Sequence, residues 1–82
     1  MKKLTPSEFC KSFAKAPSES RIVHAGDGMW EARCPAGVLA KPDGETGFSN
    51  LPGLLSILAG VGIRRCDVEW DGIPAWYFDR AN

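Results

Sequence analysis

The sequence predicts an α+β fold: a small antiparallel sheet of two hairpins, about 4–5 strands, packed with two helices in the order α-β-β-β-α-β-β. Three observations carry this reading. Asp71-Gly72 lies between alternating apolar residues, Cys66-Asp67-Val68-Glu69-Trp70 before it and Ile73-Pro74-Ala75-Trp76-Tyr77-Phe78 after it. Both central residues of a type I′ turn need positive φ, which Asp tolerates and Gly adopts freely, so this dipeptide marks a hairpin. Leu4-Thr5-Pro6-Ser7-Glu8 is a helix start. Leu51, Leu54, Leu55 and Leu58 recur at i, i+3, i+4 and i+7, the stripe of a second helix.

At the first helix, Thr5 suits the N-cap, Pro6 the first helical position and Glu8 the reciprocal position of a capping box. Leu4 and Phe9 fall at the two positions of a hydrophobic staple. Phe9, Cys10, Phe13 and Ala14 share one face and leave Lys11 and Lys15 outside, so the helix is predicted over 6–15, stopping before Pro17. Arg21-Ile22-Val23-His24-Ala25 and Met29-Trp30-Glu31-Ala32-Arg33-Cys34 form a hairpin around Gly26-Asp27-Gly28, with Trp30 and Cys34 pointing inward. Pro35-Ala36-Gly37 is a turn or a bend within one long strand, Val38-Leu39-Ala40 a short third strand, and 41–50 a loop.

Ser49 or Asn50 caps the second helix, with Pro52 tolerated in its first turn. Ser56 is its clear polar residue, which predicts a central core helix, apolar nearly all round. Gly60 or Gly62 ends it; Gly62 in the left-handed conformation brings Ile63 onto Leu58, as a Schellman motif prefers. Arg64-Arg65 leads into the C-terminal hairpin. Its turn places Cys66, Val68, Trp70, Ile73, Ala75 and Tyr77 on one side, with Val68, Trp70 and Ile73 expected on the second helix. Asp67, Glu69, Pro74, Trp76 and Phe78 take the other side.

The 82 residues make one compact domain, 1–82, with no room for a second core. Formal net charge is zero, from ten Lys+Arg and ten Asp+Glu, which removes the simplest case for a nucleic-acid binder and for an acidic DNA mimic. The charges are segregated. Residues 1–21 hold five cations (Lys2, Lys3, Lys11, Lys15, Arg21) against Glu8 and Glu19, whereas residues 66–82 hold Asp67, Glu69, Asp71 and Asp79 against Arg80. Three cysteines cannot all pair internally, no secretory apolar region follows Lys2-Lys3, and no run approaches the roughly 18 apolar residues of a membrane span. A cytoplasmic protein with reduced thiols and no membrane partner is expected.

No cofactor, metal or catalytic set is expected. Cys10, Cys34, Cys66 and His24 are zinc-ligand types, but they lack knuckle spacing and sit at apolar-patterned positions where Cys behaves as a small core residue. A Cys–His nucleophile pair, His24 with Cys34 or Cys66, is the weaker enzyme alternative, with no oxyanion donors or third orienting group in sight. Gly26-Asp27-Gly28 lacks a following helix, and Gly60-Val61-Gly62 follows one, where carbonyls rather than N–H groups are free, so neither suits a phosphate. Asp67 and Glu69 share a strand face, the ordinary solvated pattern.

The expected working surface is therefore the acidic, aromatic side of the C-terminal ribbon: Trp76, Phe78, Asp67, Glu69, Asp79 and Arg80. Either the first helix covers Trp76 and Phe78, since large apolar patches are rare on monomers, or they stand exposed as interface anchors. The sequence thus suggests a small non-enzymatic protein-binding module, an inhibitor or accessory protein of phage or mobile-element type in a bacterial setting. Its partner would be another protein or a second copy in a homodimer. The alternative is a nucleic-acid-binding accessory domain using Lys2, Lys3, Lys11, Lys15 and Arg21 with Arg64 and Arg65.

Overall fold

The computed structural model of the chain describes residues 1–25 and 28–70. The elements run β1 (Lys3–Leu4), α1 (Pro6–Lys15), a 3-10 turn (Pro17–Glu19), β2 (Arg21–His24), β3 (Trp30–Cys34), β4 (Gly37–Leu39), α2 (Leu51–Gly60) and β5 (Asp67–Glu69). The α+β class holds. The turn and second arm of the C-terminal hairpin expected around Asp71-Gly72 lie outside the described residues, as do residues 26–27 of the turn expected in the first hairpin.

Local chemistry sets both helices. Thr5 accepts the Glu8 amide at 3.2 Å and Glu8 Oε1 accepts the Thr5 amide at 2.9 Å, closing the capping box. Leu4 and Phe9 are both buried, which completes the staple. These hydrogen bonds hold the Glu8 carboxyl below the usual glutamate range, the backbone one foremost. A depressed folded-state pKa gives stability that is present above the unfolded value and lost as pH falls through the folded one. Thr5→Ala is expected to cost about 1 kcal/mol in urea titrations at neutral pH. Glu8→Gln should flatten the acid limb of stability; an unchanged limb would show that the box is not formed.

Asn50 caps α2, its side-chain oxygen accepting the Gly53 amide at 2.7 Å. The end of α2 is a Schellman motif: Ile63 N–H donates to the Leu58 carbonyl and Gly62 N–H to that of Ala59, each at 3.0 Å. Gly62 takes φ +90° there, and Ile63 and Leu58 are both buried.

The sheet order is β1-β4-β3-β2-β5, and it is mixed rather than wholly antiparallel. β2–β3 and β3–β4 pair antiparallel, the latter across the two-residue Pro35-Ala36 turn, while β1–β4 and β2–β5 pair parallel. Parallel pairing follows from the helices, because each crossover carries the chain back to the end of the sheet at which the preceding strand began. Both crossovers, β1-α1-β2 and β4-α2-β5, run in the same direction across the sheet. The right-handed rule for such connections therefore puts both helices on one face.

That face is the core: Leu4, Ile22, Ala32, Cys34 and Leu39 from the sheet, Phe9 from α1, Leu54 and Leu58 from α2, with Phe48 and Ile63. Cys10 and Cys66 are half-buried against it and Cys34 is buried, so all three free thiols contribute to packing. The opposite face carries charge. Register sets Arg21 opposite Arg33, a like-charge pair that is unfavourable alone. Each arginine takes a glutamate from the next row: Arg33 bonds Glu31 at 2.8 and 3.0 Å, and Arg21 bonds Glu69.

Two expectations about burial need correction. α2 is not sealed on all sides: Leu54 and Leu58 are buried, but Leu55 is 44% exposed. A helix laid on a sheet has a far side, and no described element covers this one. Trp70 does not pack on α2 as a core residue; β5 ends at Glu69 and Trp70 is 51% exposed. Val68, opposite Ile22, does pack against the core.

Candidate docking surface

The C-terminal ends of α2 and of the α1–β2 connection meet the segment 63–67 on its way into β5. Ile63 is pinned inward by the Schellman hydrogen bond, and Val68 is drawn inward by its pairing with Ile22. Between these anchors the chain spans the gap with Arg64 and Arg65 exposed and Cys66 half-buried. A cleft opens on each side. One, of about 510 Å³, lies between α2 and β5 and is lined by Leu55, Leu58, Ala59 and Val68. The other, of about 760 Å³, lies toward α1 and is lined by Cys10, Phe13, Ala14 and Pro17. Ile63, Arg64, Arg65 and Cys66 border both, so the two clefts form a single apolar surface crossed by a pair of arginines.

Cys66 is not an activated nucleophile in this setting. Burial pushes its thiol pKa up and the neighbouring Asp67 adds to the effect, so at neutral pH the thiol stays protonated. Cys10, in the second cleft, directs its thiol to the Val61 carbonyl at 3.3 Å.

The Cys–His pairing fails on register. His24 stands opposite Trp30, and Cys34 is four residues further along β3, about 13 Å at strand spacing. Cys66 directs its thiol to the Ser20 carbonyl, beyond the other end of β2. His24 instead meets Trp30 edge-on, ring centroids 4.7 Å apart, with its Nδ1 buried and without a hydrogen-bond partner among the described residues. Among those residues no group of three or more His, Cys, Asp or Glu is gathered to hold a metal ion. No helix among them is long and apolar enough to cross a membrane.

Of the surface expected from the sequence, Asp67 and Glu69 are exposed, as anticipated, and Glu69 is engaged by Arg21. Trp76, Phe78, Asp79 and Arg80 lie outside the described residues. The cations of the nucleic-acid alternative do not converge. Arg21 is on the open sheet face, Lys3 is on edge strand β1, Lys11 and Lys15 turn away from the α1 core stripe, and Arg64 and Arg65 stand between the clefts. Sequence patterning places Leu55 in the stripe of α2, and Arg64 and Arg65 among the cations of the nucleic-acid alternative, but does not join the three into one surface. Their signal was present as an all-round apolar helix followed at once by two adjacent cations.

No protein-family model matches the chain, and no curated protein and no solved structure matches it either.

Proposed function

We propose that this chain is a small non-enzymatic protein-binding module, of inhibitor or accessory type, that docks through the surface formed by α2, the 63–67 segment and β5. One observation carries the reading: Leu55 is held exposed on the rim of an apolar cleft whose floor is Leu58, Ile63 and Val68. A large aliphatic side chain kept in water beside a concave apolar surface is what a protein partner buries. Trp70, exposed two residues beyond Val68, extends the same edge with the residue type that most often anchors interfaces. The raised Cys66 pKa and the separation of His24 from Cys34 and Cys66 along the strands both count against thiol catalysis. The dispersal of the lysines counts against a phosphate-tracking surface, which needs its cations along one path.

The test is capture from the native host with full-length wild type, Leu55→Glu and Lys11→Ala, read by quantitative mass spectrometry. Leu55→Glu is expected to lose its captured protein by roughly tenfold or more, as removal of an interface anchor does, while Lys11→Ala keeps it. Folding of Leu55→Glu is checked by its melting curve, which should match wild type because the side chain is exposed. Equal capture by all three proteins, or capture lost only with Lys11→Ala, would overturn the proposal.

A further inference from the structure

We infer that the surface takes a segment of a partner protein in which acidic residues are flanked on both sides by apolar ones. This rests on the protein-binding reading and specifies its partner. Four arginines fall among the described residues. Arg21 and Arg33 are each neutralised by a glutamate, whereas Arg64 and Arg65 have no ion pair among the described residues. Those two cations stand at the one place where the two apolar clefts meet. Among the described residues Asp67, on the rim of the second cleft, is the only carboxylate lining either of them, so the balance of those linings is positive.

A ligand that fills both clefts must cross the arginine pair. An apolar residue seated beside Leu55 and Val68, and another beside Phe13 and Ala14, leave the intervening stretch over Arg64 and Arg65. Carboxylates there form charge-assisted hydrogen bonds with guanidinium groups, while lysines would be repelled. Apolar side chains supply affinity at the flanks and the arginines set which sequence is accepted. A nucleic acid offers phosphates to the arginines but has no side chains for the two clefts. A flat bilayer meets neither concavity.

The experiment is selection from a random dodecapeptide display library on immobilised full-length chain. Four baits are compared: wild type, Leu55→Glu, Arg64→Glu/Arg65→Glu, and Asp71→Lys/Asp79→Lys. Wild type is expected to enrich peptides with Asp or Glu between apolar residues. Leu55→Glu should lose that enrichment by about tenfold or more. The double arginine reversal should switch the selected centre from acidic to basic. No enrichment by wild type, a consensus without acidic excess, or the same consensus from the arginine reversal would overturn the inference. So would equal competition by a single-stranded oligonucleotide, or a dimer by sedimentation that Leu55→Glu dissolves, which would give the surface to a second copy. Markedly stronger enrichment by Asp71→Lys/Asp79→Lys would give it to the chain's own residues 71–82 and equally overturn it. Host capture that is lost with Leu55→Glu but untouched by the arginine reversal would leave the protein-binding module standing and remove only the acidic partner.

Discussion

Replacing Phe9 by Ala is expected to bring the protein to the edge of unfolding at ambient temperature. Phe9 is fully buried, and its ring lies 6.4 Å from that of Phe13 in a stacked arrangement. α1 is only ten residues long and so has little stability of its own; packing onto the sheet is what keeps it helical. Truncating a buried Phe costs about 3–5 kcal/mol, the transfer free energy of the ring plus the cavity left behind. A domain of this size has a total of roughly 4–12 kcal/mol. Each kcal/mol moves the melting temperature of a domain this small by roughly 4–8 °C, so the expected drop is on the order of 20 °C. Far-UV circular dichroism against temperature measures it. Phe13→Ala, at a half-buried position, should cost clearly less; equal losses at both positions would mean that the Phe9 site collapses around its cavity.

The same residue shows what the sequence could reveal about the fold. Phe9, Leu4, Thr5 and Glu8 act on one another within six positions, so the start of α1 is written in adjacent letters, as is its stop before Pro17. The Gly62-Ile63 end of α2 is local in the same sense. The parallel pairings are not. β1 is two residues long, and its membership of the sheet depends on the Val38 and Ala40 amides reaching the Lys2 and Leu4 carbonyls, more than thirty positions away in the chain. Nothing in Lys3-Leu4 announces that. Likewise, the Asp67-Val68-Glu69 alternation identifies a strand but is silent about whether its partner is a hairpin arm or β2.

The candidate surface was harder to read for a related reason. Hydrophobic periodicity reports which faces of a helix are apolar, whereas burial depends on how many layers the fold supplies. α2 is apolar nearly all round, which fits a central helix between two layers. The topology places both helices on a single face of one sheet, and Leu55 is left facing water. Arg64 and Arg65 read as a polar lead into a strand until Ile63 and Val68 are seen to anchor the segment at both ends. The shape of the surface arises from where 63–67 crosses between α1 and α2, a tertiary fact with no local signature.

Gly37→Ala is the second change with a large expected effect, and it tests the part of the fold that the sequence did not disclose. Gly37 opens β4 opposite Cys34 with φ +156°. A methyl group built there falls on the carbonyl oxygen of Lys2 and within 3.0 Å of its carbon. That oxygen is the acceptor for the Val38 amide at 2.8 Å, one of the hydrogen bonds that join β1 to β4. Backbone rather than a flexible side chain stands in the way, so β1 must move. Moving it breaks the Val38–Lys2 and Ala40–Leu4 hydrogen bonds and draws Leu4, 3% exposed, away from Phe9 and the core. Overpacking alone costs about 1–3 kcal/mol, and re-exposing a buried leucine adds about 1.5–3 kcal/mol. Gly62→Ala is the informative contrast: it takes φ +90° but meets nothing within 4 Å, so only backbone strain of about 1 kcal/mol is expected. Urea titration gives the two losses, and amide hydrogen exchange locates them. Gly37→Ala should expose the Val38 and Ala40 amides to exchange while the β2–β3 ladder keeps its protection. Equal losses for the two variants would mean that φ, and not the approach of β1, makes glycine necessary at position 37.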